Sequence, residues 1–410
     1  MIDADRKQEW RRQLEQELAG DILPFWLSHT LDRERGGFYG LVANDGRVDQ
    51  DAPRSAVLTG RILWTFAAAY RTYQKPEYLQ AARHAYEYLT GCFQDLKYGG
   101  FYWMVDAWGA PLNTRKQIYA QAFALYAASE YYRAAGEPAA LALAQDIFRL
   151  IEAKSHDPQT GGYFEAYRRD WSALQDWRLS EKDLNCPKSM NTLLHVLEAC
   201  TNLLRIWDDA LLKQRLAELI EVFLQHVIDP HTGHFKMFFE ADWASLSDHV
   251  SYGHDIEGSW LLLEAAQVLG DPALAARVKT AALRMVEAVY NEAREPDGSL
   301  LYEASPRQVT IADKHWWAQA EAVVGFYNAY QVSGEERYLD AAWQAWQFID
   351  ARVIDHKDGE WYAVLKRDGS PYSSAENPDQ HKVGPWKCPY HNSRMCFEMM
   401  ERLNAVAQPV

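Results

Sequence analysis

A short turn recurs six times along the 410-residue chain, and that repetition restricts the fold more than any other feature. It reads Asp32…Gly36-Gly37-Phe38-Tyr39, Asp95…Gly99-Gly100-Phe101-Tyr102 and Asp157…Gly161-Gly162-Tyr163-Phe164. Weaker copies follow at Asp229…Gly233-His234-Phe235, Asp297-Gly298-Ser299-Leu300-Leu301-Tyr302 and Asp355…Gly359-Glu360-Trp361-Tyr362. Counted from Gly37, Gly100, Gly162, Gly233, Gly298 and Gly359, the spacings are 63, 62, 71, 65 and 61 residues, a period of about 64.

Between the turns the pattern is helical. Ser55–Tyr73, Tyr119–Ala135, Met190–Trp207, Asp255–Leu269, Trp316–Val332 and His391–Leu403 are apolar with a 3.6-residue period and almost no internal Gly or Pro. The first five are each followed by a more polar helix: Pro76–Phe93, Pro138–Ser155, Ala210–Ile228, Pro272–Asn291 and Glu335–Ile354. Gln8–Thr30 supplies the twelfth. A helical hairpin leaves an apolar face that it cannot bury alone. Six in a ring bury all such faces and leave no end repeat to cap. The expected architecture is all-α: an (α/α)6 barrel of six helical hairpins, apolar helices inside and amphipathic helices outside, with short β-hairpin loops at the mouth. A linear solenoid is the alternative, which the matched spacing and the lack of a polar terminal repeat disfavour. No Pro-, Gly- or Ser-rich linker interrupts the pattern, so residues 1–410 are expected to form one domain.

Composition narrows the function classes. A formal charge of −15 disfavours nucleic acid and anionic membrane surfaces as partners. No apolar run reaches the length of a membrane span, and the charged N-terminus lacks a signal-peptide core, so a cytoplasmic monomer is expected. Cys92, Cys186, Cys200, Cys388 and Cys396 are scattered without a Cys-x-x-Cys pair, which argues against disulfides or structural zinc. Aromatics make up 13% of the chain, many in loop-like stretches such as Phe101-Tyr102-Trp103, and aromatic faces suit sugar rings.

The polar residues inside the apolar helices carry the chemistry. Arg61 lies in the first; Tyr119 opens the second; Asn191 and His195 share one face of the third. His254 and Glu257 begin the fourth, Trp316 and Trp317 the fifth, His391 and Arg394 the sixth. In a ring of equivalent hairpins, these first turns converge at one mouth. Six sequence-distant clusters therefore imply one pocket. Taken singly, each has a plainer explanation as a cap, a structural ion pair or core, but together they indicate a site. Phosphate and dinucleotide glycine motifs are absent, as is Gly-x-Ser-x-Gly. His254-Asp255-Ile256-Glu257 lacks a second His four residues away, so neither a metal nor a cofactor is expected.

Four segments resemble the signatures of the N-acylglucosamine 2-epimerase superfamily: Ser251–Trp260, His315–Ala322, Ser189–Thr192 and Trp386–Asn392. The likeness runs from the first helix to about Leu403 and is greatest to members acting on β-1,4-linked disaccharides. The resemblance implies the same (α/α)6 barrel and no cofactor. It implies a general acid/base pair at His254 and His391, with Arg61 and His195 holding the sugar's C1 oxygen. Around the reacting sugar it places Tyr119, Asn191, Glu257 and Trp317; Trp386 becomes the platform for a second ring, with Asp183 and Trp243 at the rim. Trp316 and Arg394, at the same predicted mouth, complete the substrate-binding set. Glu257 is expected to orient His254. Cys388 stands where relatives often carry Gly, and Pro371–Lys382 is longer than usual, which bears on outer-sugar preference.

The reaction implied is inversion at C2 of a reducing-end glucose, through the open-chain aldehyde and an enediolate. Two imidazoles on opposite sides of C2 suit it, because either role is accessible near neutral pH. The partner expected is a disaccharide or oligosaccharide. A mannose/glucose-type aldose–ketose isomerase or a monosaccharide 2-epimerase shares the same intermediate and is the nearest alternative. A glycoside hydrolase on the same barrel is more distant, since it needs two catalytic carboxylates and leaves three histidines idle.

Overall fold

The computed structural model describes residues 4–305, 308–373, 376–377 and 380–404. Part of Pro371–Lys382, the segment expected to be long, lies outside those residues. Helices α1 (Ala4–Glu17) and α2 (Leu23–His29) run together through one wide π turn. The remaining helices alternate between two rings. The inner ring is α3 (Ala56–Tyr73), α5 (Ile118–Ala135), α7 (Met190–Leu204), α9 (Tyr252–Leu269), α11 (Trp316–Ser333) and α13 (Tyr390–Asn404). The outer ring is α4 (Pro76–Tyr88), α6 (Pro138–Lys154), α8 (Ala210–Val222), α10 (Pro272–Glu292) and α12 (Glu336–Phe348), together with α1 and α2. Each helix lies within a few residues of its expected position.

Local sequence explains the punctuation. Ser55 and Ser189 accept hydrogen bonds from the backbone N–H groups of Leu58 and Thr192, capping α3 and α7. Left-handed Gly136, Gly270 and Gly334 stop α5, α9 and α11, and Pro138 and Pro272 then open the next helices at positions that lack a helical donor anyway. Residues Ala56–Ala69 of α3 are all buried, whereas α4 buries only Tyr78, Ala81, Ala82, Ala85 and Tyr88, a single helical stripe.

Each inner helix packs on the next, and α13 packs back on α3. The strands repeat that closure. The two residues before each of the first five inner helices pair antiparallel with the following repeat: Arg54–Ser55 with Met104–Val105, Lys116–Gln117 with Ala166–Tyr167, Lys188–Ser189 with Phe238–Phe239. Val250–Ser251 and Lys314–His315 do likewise, and His381–Val383 returns to Val42–Ala43 in the first repeat. The ring is closed, and the linear solenoid is ruled out.

The glycine turns are held by a second repeating feature. Buried Arg54, Lys116, Lys188 and Lys382 reach Asp32, Asp95, Asp157 and Asp355, at 2.5, 3.0, 2.8 and 2.6 Å. In the fifth copy Lys314 meets Glu295, whose N–H donates to the Ser299 carbonyl across the turn. Glu295 therefore occupies the anchoring place given to Asp297 from sequence; this turn is one residue tighter, and the Asp297 carboxylate accepts from Ser299 instead. The fourth copy has Val250 in place of the cation, and there His234 binds Asp255 at 2.7 Å. Among the described residues, no helix is long and apolar enough to cross a membrane.

Candidate active site

The inner helices all begin at the strand-bearing end, so their first turns meet there. Arg61, two turns into α3, is 3% exposed and donates from Nη2 to the Tyr119 hydroxyl of α5 at 2.8 Å. Its Nη1 lies 3.7 Å from the Cys388 sulfur, its guanidinium is 4.3 Å from the Phe123 ring centre, and its Nε has no partner. The His195 ring stands edge-on to Tyr119 at 4.9 Å. Its Nδ1 lies 2.9 Å from Glu198. Across the site, His391 places Nδ1 2.7 Å from Glu321, and His254 places Nδ1 2.7 Å from the Ser251 hydroxyl. Trp317 bridges the two, its ring centre 4.7 Å from that of His254 and 5.6 Å from that of His391.

A carboxylate only accepts, so His195 and His391 donate from Nδ1, and Nε2 is the nitrogen each has left for a substrate. Beneath them lies Arg394, 2% exposed. Its Nη2 donates to Glu257 at 2.5 Å and Glu321 at 2.6 Å, and its Nη1 to Glu198 and the Tyr390 hydroxyl. One guanidinium thus joins the carboxylates that hold two of the three histidines.

Burial and charge set the protonation states. Burial pushes the Glu198 carboxyl up, but Arg394 and His195 overcome it and hold it at about 2. Glu257 is pushed up to about 7 by burial and by neighbouring Glu321, against the pull of Arg394. Burial, then the charges of His195, His249 and Arg61, bring His254 down to about 3. Burial, with Arg61 and Arg394, likewise holds His391 well below the ordinary imidazole value. Both imidazoles are therefore kept in the basic form.

Of the residues expected at the mouth, Arg61, Tyr119, His195, His254, Glu257, Trp316, Trp317, Trp386, His391 and Arg394 are joined by direct contacts. Trp386, 37% exposed, leans on Trp103 at 6.1 Å and Tyr119 at 5.9 Å, forming an aromatic shelf over the opening. Asn191 lies one turn before His195 with its side-chain oxygen buried and unpartnered, and the Trp316 indole N–H is in the same state. Asp183 caps its own loop, accepting from Ser180 N–H and hydroxyl at 2.8 Å.

Two expectations need correction. Glu257 does not hold His254: its carboxylate turns to Arg394 and lies 3.8 Å from His391 Nδ1, because Arg394 draws it beneath the site. Trp243 is not brought to the cluster either. It takes a left-handed φ of 72°, and its ring folds back over Gly162, stacks on His226 at 5.1 Å and donates to the Thr160 carbonyl. Sequence reasoning missed Glu198, Glu321, Ser251 and Tyr390. The i, i+3 pair His195/Glu198 was a readable signal; the Glu321–His391 contact joins positions 70 residues apart and left none.

Glu257, Glu321 and His391 also form the one cluster among the described residues with metal-ligand geometry, their donor atoms within 4.8 Å of one another. Arg394 already bonds both carboxylates, so the positive charge they need is supplied by the chain, and the donor set does not fit a cation.

Residues 36–383 match the family model of N-acylglucosamine 2-epimerase. The chain belongs to that family. It is a carbohydrate epimerase, an isomerase. Over 391 residues it is 44% identical to the cellobiose 2-epimerase of Bacteroides fragilis, covering 95% of this chain and 98% of that one. The structure of the cellobiose 2-epimerase from Bacillus thermoamylovorans superposes with a TM-score of 0.91 at 41% identity, covering 96% of this chain and all of the other. A D-mannose isomerase shares the fold at a TM-score of 0.83 and 24% identity, covering 95% of this chain and 97% of that one.

Proposed function

We propose that this epimerase inverts C2 of the reducing-end glucose of a β-1,4-linked disaccharide, converting cellobiose to glucosyl-mannose and lactose to epilactose. The observation that carries the reading is the pair His254 and His391, from two different helices, both packed against Trp317 and each anchored through Nδ1. The high identity to cellobiose 2-epimerases over nearly the whole chain, and the Trp386 shelf outside the pocket, favour a disaccharide over a single sugar.

Ring opening moves the O1 proton to O5 and exposes the aldehyde, which makes the C2 hydrogen acidic. One imidazole takes that proton through Nε2, leaving an enediolate. The other, protonated at Nε2 from water once the sugar is bound, delivers that proton to the opposite face; the two imidazoles then trade protons with solvent, and the reverse reaction exchanges the roles. Arg61 and His195 face the developing charge on O1; a fixed donor of this kind is worth about a hundred- to a thousand-fold in rate. Tyr119 fixes the Arg61 guanidinium. Asn191 and Trp316 hold unspent polar atoms for sugar hydroxyls. Glu321 and Ser251 orient the two imidazoles, and Arg394 positions the carboxylates rather than the sugar. Asp183 acts at the rim through its loop. No metal or cofactor takes part. The same reading makes the closed ring one domain that acts as a monomer, and the five free cysteines suit a reducing, cytoplasmic compartment.

Incubation with cellobiose in heavy water tests the reading. Glucosyl-mannose carrying solvent deuterium at C2 is expected. Free glucose means hydrolysis, a ketose as main product means isomerisation, and a product fully protiated at C2 rules out proton exchange. His254→Ala and His391→Ala should each lower kcat/KM by about a hundredfold or more while the protein stays folded; near-normal turnover in either removes that histidine from the mechanism.

A further inference from the structure

The inner helices converge a second time, at their C-terminal ends, around a cavity of about 430 Å³. That volume is in the range of small-molecule sites. Its rim is built of ion pairs. Arg71 and Arg133 share Glu130, Arg205 binds Glu264 and Arg402 binds Glu398. With Glu401 on the rim and Glu198 and Arg394 in the roof, the guanidinium and carboxylate charges balance.

Arginines in last turns offset the negative ends of the helix dipoles, which accounts for their presence. It does not account for the cavity between them or its wall. Trp64 stacks on Tyr126 at 5.4 Å, and its buried indole N–H has no partner. The Gln267 amide and the Tyr126 hydroxyl make no side-chain hydrogen bond among the described residues, and Arg71 and Arg205 each spend one nitrogen only. Charge balance gives neither a cation nor an anion an advantage, while dense donors and acceptors beside a stacked aromatic pair suit hydroxyls and C–H faces together.

We propose that this cavity is a second, non-catalytic site for a neutral polyhydroxy compound, a sugar or polyol, at the end of the barrel opposite the catalytic mouth. Glu198 and Arg394 form its roof and also hold His195 and the Glu321 behind His391. Occupancy therefore reaches the catalytic cluster without blocking the mouth.

The probe is trehalose, a non-reducing disaccharide that cannot open to an aldehyde. Calorimetry on the full chain should give a millimolar Kd. Binding should persist in Trp386→Ala and weaken at least tenfold in Gln267→Trp, which fills the cavity from its rim, and in Asn328→Leu, which removes a lining amide. Thermal melts identify whichever variants are folded, and either cavity variant suffices. Absence of binding up to about 100 mM overturns the proposal. So does binding lost in Trp386→Ala but unchanged in the cavity variants, which places trehalose in the mouth. This readout needs no turnover, so it stands or falls separately from the proposed reaction.

Discussion

Arg394→Met removes one charge and tests the whole underside of the catalytic cluster. The guanidinium is 2% exposed and bonds Glu198, Glu257 and Glu321, so the variant leaves three buried carboxylates without their shared cation. Loss of one partner from a buried pair costs about 3–5 kcal/mol. Glu198 gives a second route to the magnitude: its shift from 4.5 to about 2, with Arg394 the largest influence opposing burial, is worth about 3 kcal/mol at 1.36 kcal/mol per unit. At about 2.1 cal/mol/K of unfolding entropy per residue, 3–5 kcal/mol corresponds to a fall in Tm of about 4–6 °C for 410 residues. The sign with pH is fixed. Without Arg394 the Glu198 carboxyl loses the cation that lowers it, and Glu257 and Glu321, already raised by burial, rise further; a raised carboxyl contributes stability that is full below the unfolded value and lost as pH rises through the folded one. The wild-type contribution of Glu198 is already present at pH 5, above its unfolded value, so the deficit should be about 4 °C at pH 5 and rise to about 6 °C at pH 8. Thermal melts of wild type and variant at both pH values measure it. A deficit equal at the two, or larger at pH 5, refutes the account.

Three further outcomes follow from single contacts. Because burial and nearby positive charge hold His254 at about 3, its base form survives acidification below the ordinary imidazole value, and the acid limb of kcat/KM should lie below pH 6; a limb centred at 6.5 or higher speaks against this role. Trp386→Ala should raise KM for cellobiose by about tenfold with little change in kcat, and leave turnover of a monosaccharide unaltered, since the shelf lies outside the reacting sugar. Gly162→Ala places a Cβ 2.8 Å from the Trp243 ring at a φ of 75°, and should cost about 1–3 kcal/mol in chemical denaturation; a neutral result means Trp243 is not seated there.

The helices and the ring were legible because the information is local and repeated. An apolar run such as Ala56–Ala69 is buried whichever neighbour it meets, and the six glycine turns set the repeat. The convergence of Arg61, His195, His254 and His391 followed from that symmetry alone. What was not legible depends on direction. Glu257 lies three residues from His254 but bonds an arginine 137 residues away, and no spacing rule gives that choice. Trp243 is expected at the rim from the resemblance, but its left-handed backbone aims the ring at Gly162. The cations at Arg54, Lys116, Lys188, Lys314 and Lys382 recur at one place in the repeat, yet only their partners reveal that they clamp the glycine turns.

The repeat also shapes the electrostatics of the site. Six parallel inner helices bring six N-termini to one mouth, and each carries the equivalent of about half a positive charge on unsatisfied N–H groups. A chain with a net charge of −15 thus turns positive helix ends toward the mouth, where the proposed enediolate would form. Buried Glu198, Glu257 and Glu321 stand beside the histidines because Arg394 bonds all three. Burial and nearby guanidinium charge hold both His254 and His391 in the basic form. At the far end the dipoles reverse, and Arg71, Arg133 and Arg402 stand in the last turns to offset them. The barrel is polar along its axis as a consequence of its connectivity, with the proposed proton transfer at one end and the arginine-rimmed cavity at the other.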